Sequence, residues 1–318
     1  MNLSNSRLPG ALAAVTLWST NAYAAELALD RMSVGWLLTV QYGAATTVLL
    51  AVGSVHRPRG SSGTPKARTI LSEVGQLGPT ALVVGVVGLT GTTFLQYVAF
   101  ATAPIVAANV LAYGWPLLAA IWIAATRRSR HALLSACFAV LGFGGVALIF
   151  TSPSRAADAG GGSDVTLGYL AALGSATCMA VYTIAAGRVT AHPSALLVPA
   201  TVVGAALATM LTVASASDPP SAAGALAAAY IGVGPMAAGY ALWTHAMAGG
   251  GAERLAPLGY ATPLLSTVIL LFAGAPSTAG TLTGVGLVLG CSLGVLALER
   301  QVSPGAKQSA RPAHQRDG

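Results

Sequence analysis

The stretch Leu111-Ala-Tyr-Gly-Trp-Pro-Leu-Leu-Ala-Ala-Ile-Trp122 is an apolar helix pattern with a proline at its middle. A second stretch, Leu258-Gly-Tyr-Ala-Thr-Pro-Leu-Leu-Ser-Thr-Val-Ile269, repeats its design: a tyrosine three residues before a proline that Leu-Leu follows. Proline inside a helix removes one backbone hydrogen bond and crowds the preceding turn. In a bilayer such a break is tolerated where neighbouring helices, side chains or water satisfy the freed carbonyl. Two such helices, at corresponding places in two halves, predict a cavity between the halves.

The composition around these two stretches indicates a membrane protein. Apolar residues make up 54% of the 318 residues and charged residues 8%, whereas soluble domains carry about 25% charged residues. So few charges cannot cover an aqueous surface, and we expect an all-α polytopic membrane protein surrounded by the lipid bilayer. The net charge of +7 is then the charge of cytoplasmic loops, and we expect no nucleic-acid partner.

Ten apolar stretches are long enough to cross a bilayer as helices, at about 20 residues each. They lie at 8–28, 32–55, 79–101, 104–126, 132–151, 167–187, 195–216, 222–249, 255–274 and 280–298. Because each half holds five spans, the second half must insert with the opposite orientation. We therefore predict ten transmembrane helices arranged as two inverted five-helix repeats.

The spans divide the chain into four parts. Residues 1–151 form the first repeat and include a flexible cytoplasmic loop at 56–78, and residues 152–166 form an external linker. Residues 167–298 form the second repeat, and 299–318 form a basic cytoplasmic tail that we expect to be disordered.

Orientation follows from the positions of the basic residues. With ten spans and a cytoplasmic N-terminus, fourteen of the sixteen Lys and Arg residues lie inside, and only Arg31 and Arg155 lie outside. This bias predicts a multi-pass protein of the inner (plasma) membrane with both termini cytoplasmic. Ala22-Tyr-Ala24 is similar to a signal-peptide cleavage site, but Trp18-Ser-Thr-Asn21 interrupts the apolar run. We expect the first span to be retained.

Several short motifs resemble those of a known protein family. Leu17-Trp-Ser-Thr20 in span one resembles the drug/metabolite transporter superfamily of the EamA type, whose members pair two five-helix units. Gly239-Tyr-Ala-Leu-Trp243, Gly259-Tyr-Ala-Thr-Pro-Leu-Leu-Ser266 and Ala112-Tyr-Gly-Trp-Pro116 resemble its YddG-like branch of aromatic amino-acid exporters. The resemblance implies a secondary active transporter that exports small metabolites by alternating access, with amino acids as the first candidates. Glu26 stands where several relatives carry a basic residue, so other small metabolites or lipophilic cations stay open as substrates.

The middle depth of the spans carries aromatic and neutral polar residues. Aromatic faces can stack a ring or hold an ammonium group, and amides or hydroxyls can bind a carboxylate without adding charge. This lining favours a neutral zwitterion over a multiply charged anion, for which arginines are expected. The candidate substrate-binding residues are Trp18, Asn21, Asn109, Tyr113, Tyr240, Trp243 and Tyr260. Packing is the alternative role for each aromatic residue.

Further residues suggest how such a pocket could move. Pro116 and Pro263 are candidate hinges, because each removes a helix hydrogen bond. The small residues of Gly232-Val-Gly-Pro-Met-Ala-Ala-Gly239 predict a bend in span eight. Glu26 and His245 are candidate coupling residues, although each lies near a membrane interface, where its charge can reach water. Gln41 and Gln96 could line the pocket or form hydrogen bonds between helices, and we favour the second role.

Other classes of function have little support in the sequence. Cys137, Cys178 and Cys291 are isolated and lack metal-ligand spacing. Motifs for phosphate binding, zinc proteolysis and serine hydrolysis are missing, so we expect no cofactor, no metal and no enzymatic activity. An intramembrane enzyme using scattered serines and His245, or a non-transporting scaffold, remains the rival interpretation. Gly286, Gly290 and Gly294 serve internal packing or a dimer contact, and we expect a monomer or weak homodimer.

Overall fold

The computed structural model describes residues 3–55, 74–75, 77–126, 130–151, 162–186, 193–247, 258, 261–275 and 277–302. Every regular element within these ranges is a helix, which confirms the all-α class. Tyr260, most of the predicted loop 56–78 and the part of the predicted tail after Val302 lie outside the described residues.

The first half consists of eight α-helices and one π-helical segment, within the described residues. They are α1 (Leu3–Ser19), α2 (Asn21–Leu29), α3 (Val34–Val55), α4 (Pro79–Gly85), the π segment π1 (Val86–Thr90), α5 (Gly91–Thr102), α6 (Ile105–Ala112), α7 (Trp115–Thr126) and α8 (Arg130–Thr151). The second half follows the same plan with fewer separate pieces. It consists of α9 (Gly162–Ala186), α10 (Pro193–Ser215), α11 (Ala222–Ile231), the π segment π2 (Gly232–Gly239), α12 (Tyr240–Met247), α13 (Ala261–Phe272) and α14 (Ala279–Val302).

The helices have the length and surface of a membrane protein. Five described stretches are long and apolar enough to cross a bilayer: Val34–Val52, Pro79–Thr102, Asp164–Tyr182, Leu196–Ala214 and Ala222–Ala246. Large apolar side chains point outward from many helices, among them Val213, Leu226 and Phe272. Such an apolar exterior is unfavourable in water and favourable against lipid chains. The chain is therefore a polytopic helical membrane protein.

Two predicted boundaries are wrong by a few residues. α9 begins at Gly162, so the last five residues of the predicted linker 152–166 are helical. Asp164 lies in its first turn, where a carboxylate interacts favourably with the helix dipole. α14 continues to Val302 and includes the first residues of the predicted tail 299–318. Glu299, Arg300 and Gln301 are good helix formers, so the helix does not end where the apolar run ends.

The packing of the helices shows a correspondence between the two halves. α3 packs against α10, α6 against α13, and α8 against α14. α5 of span three packs against α9 of span six, and α12 of span eight packs correspondingly against α1 of span one. α3 and α10 approach closely because residue 204 is a glycine that faces the ring of Tyr42. A Cβ atom at this position would collide with the ring. Tyr42 and Tyr97 are the largest fully buried side chains in the described part of the chain.

Four of the predicted spans are interrupted near their middle in the part of the chain that the structure describes. Span one breaks at Thr20, between α1 and α2, and span four breaks at Tyr113-Gly114, between α6 and α7. Spans three and eight contain the π segments instead. The π-helical segment of span eight covers the same residues, Gly232–Gly239, that the sequence suggests as a bending element.

Pro116 does not lie where the sequence pattern predicts. Pro116 is the second residue of α7, and Pro263 is the third residue of α13. In the first turn of a helix the backbone N–H has no helical partner, so proline removes no hydrogen bond there. The expectation that Pro116 lies in the middle of a helix is wrong, because the helix has already ended at Ala112. The N–H of Gly114 instead bonds the carbonyl of Leu111 at 3.0 Å, which closes a tight turn.

Candidate substrate-binding site

A cavity lies between the two halves. It is lined by Tyr113 at the break in span four, by Pro235 and Met236 of π2, and by residues within two positions of Thr20 and of π1. It contains about 680 Å³ of empty space, counting the part that is open to solvent. The lining residues are Trp18, Asn21, Gln41, Thr92, Thr93, Gln96, Tyr97, Ala112, Tyr113, Trp115, Ser175, Met179, Ile231, Pro235, Met236, Tyr240, Trp243 and Thr262.

An aromatic cluster centred on Trp18 forms one wall of the cavity. The ring of Trp18 lies 5.2 Å from the ring of Tyr240 and 5.2 Å from that of Trp243, tilted by 64° and 54°. Edge and tilted contacts of this kind are the favourable arrangements of aromatic pairs. The hydroxyl of Tyr113 donates to the backbone carbonyl of Trp18 at 3.4 Å. The cluster therefore joins α1 and the α6–α7 turn to α12.

The local sequence of span eight explains how Trp18 is held. Its indole N–H donates to the carbonyl of Pro235 at 2.9 Å. Pro235 lies inside π2, and the wider π turn changes the hydrogen bonds that its carbonyls make within the helix. Gly239, the last residue of π2, provides the space for the ring. A Cβ atom at Gly239 would lie 2.7 Å from the indole nitrogen, closer than atoms of this kind approach.

The cavity lining also contains hydrogen-bonding groups of two kinds. Some are paired: the Tyr97 hydroxyl donates to Oδ1 of Asn21 at 2.6 Å, and the Ser175 hydroxyl donates to the carbonyl of Thr92 at 2.7 Å. Others are not: the side chains of Gln41 and Thr262 are buried and have no hydrogen-bond partner among the described groups. The paired groups give the wall its shape, and the unpaired groups are available to a bound molecule.

The cavity lining is neutral. No Asp, Glu, Lys, Arg or His is among its described residues. Glu26, a candidate coupling residue, is half-buried in a separate recess with Asp30 and Ser33. His245, the other candidate, is exposed near the end of α12. The described residues also hold no group of three His, Cys, Asp or Glu side chains that could bind a metal ion.

Five of the seven residues that the sequence suggested for substrate binding line this cavity: Trp18, Asn21, Tyr113, Tyr240 and Trp243. Asn109 is not in the lining. It is fully buried in α6, where its Oδ1 accepts a hydrogen bond from Ser266 at 3.4 Å. Tyr260 lies outside the described residues.

Several lining residues were assigned another role or not singled out in the sequence. Gln41 and Gln96 were interpreted as groups that join helices, yet both line the cavity, and the Gln41 amide joins nothing. Thr92, Thr93, Ser175 and Met179 carry no sequence signal of their own. Only Thr262 could have been found, because it directly precedes Pro263 in the repeated motif.

Comparison with known proteins agrees with this geometry. The profile of the EamA-like transporter family matches residues 7–151 and, a second time, residues 166–297. The aromatic amino acid exporter YddG of Ancylobacter novellus is 30% identical over 199 residues, which cover 62% of this chain and 69% of that protein. A solved crystal structure covers 93% of this chain and 98% of its own, with 25% identity and a TM-score of 0.64. The chain therefore belongs to the EamA-like transporter family.

Proposed function

We propose that this protein is a secondary active transporter that exports small neutral metabolites, amino acids with aromatic side chains foremost, by alternating access around the cavity. The observation that carries the proposal is a neutral, aromatic lining drawn from both halves. Trp18, Tyr240 and Trp243 offer ring faces and edges, each worth about 1 kcal/mol to a stacked ring. A multiply charged anion would require arginines, and the described lining has none.

The proposed architecture of the protein is ten transmembrane spans in two inverted repeats. The family profile matches twice, and each match covers five of the predicted spans. The packing correspondence between the halves and the π segments in spans three and eight support a repeat as well. With an odd number of spans in each half, the repeats are oppositely oriented, and a site between them can open to either side in turn.

The orientation of the protein in the membrane and the direction of transport rest on separate arguments. Fourteen of sixteen basic residues face the cytoplasm when both termini are placed there, which favours a multi-pass protein of the inner membrane. The outward direction of transport is proposed by likeness, because the relative from Ancylobacter novellus is named an exporter.

The helix interruptions supply the bending elements. An interrupted helix has fewer backbone hydrogen bonds across the break, so its two parts can change their angle at low free-energy cost. Pro116 lies in the first turn of α7, just beyond the break at Tyr113-Gly114, and Pro263 is the third residue of α13. We assign both prolines as hinges, because a proline cannot continue the hydrogen-bond pattern of a helix into the preceding turn.

Transport in proteoliposomes tests the proposal. The purified protein should show saturable uptake of tryptophan or phenylalanine, measured with and without a pH gradient and beside a lipophilic cation. Trp243→Ala and Tyr113→Ala each remove about 1 kcal/mol of aromatic contact, so half-saturation should rise about fivefold. Trp122→Ala is the matched control, because Trp122 is 57% exposed on the outer surface of α7 and should leave half-saturation unchanged.

The outcomes separate the competing functions. Saturable flux of the lipophilic cation without flux of any amino acid would replace the proposed substrate with the cation. Absence of saturable flux for the whole panel would favour the enzyme or scaffold interpretation. Equal effects of Trp122→Ala and Trp243→Ala would refute the assignment of the binding site.

A further inference from the structure

Gln41 is fully buried in α3, yet its side-chain amide makes no hydrogen bond to any described group. Both the amide oxygen and the amide nitrogen lack a partner, so the observation holds for either orientation of the amide. A buried donor or acceptor without a partner is destabilising, and native proteins keep few of them. Gln41 is also one of the residues that line the cavity, so its unpaired amide lies beside the space that a substrate would occupy.

Thr262 presents the same situation from the other half of the protein. Threonines within the helices of this chain commonly donate to the carbonyl four residues earlier, as Thr47 and Thr102 do. Thr262 is the second residue of α13, is buried, and has no partner for its hydroxyl among the described groups. It also lines the cavity. The cavity lining therefore contains one residue with an unpaired amide and one with an unpaired hydroxyl, from opposite halves.

We propose that Gln41 and Thr262 bind the polar end of the substrate, the α-carboxylate and α-ammonium groups of an amino acid. The Trp18–Tyr240–Trp243 cluster then holds the substrate side chain. This assignment rests on the function proposed above and names its specificity-determining residues. The Gln41 amide donates from Nε2 to the carboxylate and accepts at Oε1 from the ammonium, while the Thr262 hydroxyl serves either group.

The neutral lining explains why this pair selects a zwitterion. A ligand with a single net charge would enter a cavity whose described residues carry no opposite charge, which is unfavourable. The two charges of a zwitterion compensate each other, and the amide matches both at once. A site built to hydrogen-bond a group rejects the analogue that lacks it, because the buried partners are then left unpaired. Gln41 should therefore set the preference for an amino acid over the corresponding amine.

Binding of L-tryptophan and tryptamine to the purified full-length protein, measured by calorimetry, tests this assignment. The wild type should bind tryptophan at least about tenfold more tightly than tryptamine, which lacks the carboxylate. Gln41→Met keeps the length of the side chain and removes the amide, so the Kd for tryptophan should rise about tenfold to a hundredfold. The Kd for tryptamine should change much less, so the preference should shrink. Thr262→Val, which keeps the shape, should act in the same direction.

Thr46→Val is the matched control. Thr46 lies on the same helix as Gln41 and also has a buried hydroxyl without a partner, but it does not line the cavity. Its substitution should leave both Kd values unchanged. The assignment is refuted if Gln41→Met and Thr262→Val bind tryptophan as the wild type does, or if Gln41→Met weakens both ligands equally. If Gln41→Met does not fold, Thr262→Val decides. If the wild type binds neither ligand, the proposed function fails and this assignment with it.

Discussion

The substitution Gly239→Ala adds one methyl group at the contact between α1 and span eight, and its effect tests that contact. A Cβ atom there would lie 2.7 Å from the indole nitrogen of Trp18 and 3.1 Å from Cδ1. Ordinary contact begins at 3.4 Å, so Gly239→Ala requires the indole to move by about 0.7 Å. A shift of that size can stretch the 2.9 Å hydrogen bond to the Pro235 carbonyl beyond hydrogen-bond length.

The expected loss of stability combines two effects of this shift. Overpacking a well-packed site costs about 1–3 kcal/mol, and loss of one hydrogen bond costs about 1 kcal/mol. Alanine in place of glycine within a helix returns up to about 1 kcal/mol. We expect Gly239→Ala to lower the free energy of unfolding by about 1–3 kcal/mol, and to weaken binding because Tyr240 and Trp243 lose their partner ring.

Unfolding of the detergent-solubilised protein, followed by tryptophan fluorescence, measures this loss. Gly43→Ala is the control, since a Cβ at Gly43 meets no atom within 4 Å, and we expect it to be neutral or slightly stabilising. A double-mutant cycle with Trp18→Ala isolates the contact: in that background Gly239→Ala should cost less than about 0.5 kcal/mol. An equal loss in both backgrounds, or no loss at all in the wild type, would show that the indole is not packed against Gly239.

Three further predictions concern the rest of the molecule. Reporter fusions should place both termini in the cytoplasm, and an N-terminal tag should stay with the membrane fraction; loss of the tag by cleavage after Ala24 would contradict this. Pro116→Ala and Pro263→Ala should insert normally and transport more slowly, because a proline cannot continue the hydrogen-bond pattern of a helix into the preceding turn. If both variants transport at the wild-type rate, the prolines only shape packing. Glu26→Gln and His245→Gln should leave half-saturation unchanged, because neither residue lines the cavity; if either is a coupling residue, its variant loses the response to a pH gradient while half-saturation stays the same.

The aromatic part of the site could be predicted from the sequence. Trp18, Tyr113 and Tyr240 lie near the centres of long apolar runs, and the repeated Tyr-x-x-Pro motif relates one half to the other. Large aromatic groups at that depth have few roles besides packing and binding, so their depth and the repeated motif were sufficient to select them as candidate binding residues. The bend in span eight could be predicted for a similar reason, because glycine and proline act on the backbone locally.

The polar part of the site could not be predicted in the same way. Thr102 bonds the carbonyl one turn back, whereas Thr262 bonds no described group, and nothing in the identity of a threonine separates the two cases. Gln41 differs from a glutamine that joins two helices only through what lies opposite it, which depends on the packing of α3. No glycine or proline lies next to the break at Thr20, so the local sequence does not predict that break. These features depend on tertiary contacts, and periodicity carries no information about them.

The π segment Gly232–Gly239 has a consequence for how relatives of this protein are compared. A π turn holds about one residue more than the α-helix around it, and each residue turns an α-helix by roughly 100°. Deleting a single residue from this segment would leave a regular α-helix in its place, with Tyr240 and Trp243 still facing the cavity, whereas the same deletion in an α-helical part would rotate the residues beyond it by about 100°. The π segment can thus absorb a change of one residue in chain length without changing which side chains face the cavity. Relatives that lack the extra residue must be aligned with a gap here, or every binding residue beyond position 239 will be matched to the wrong partner.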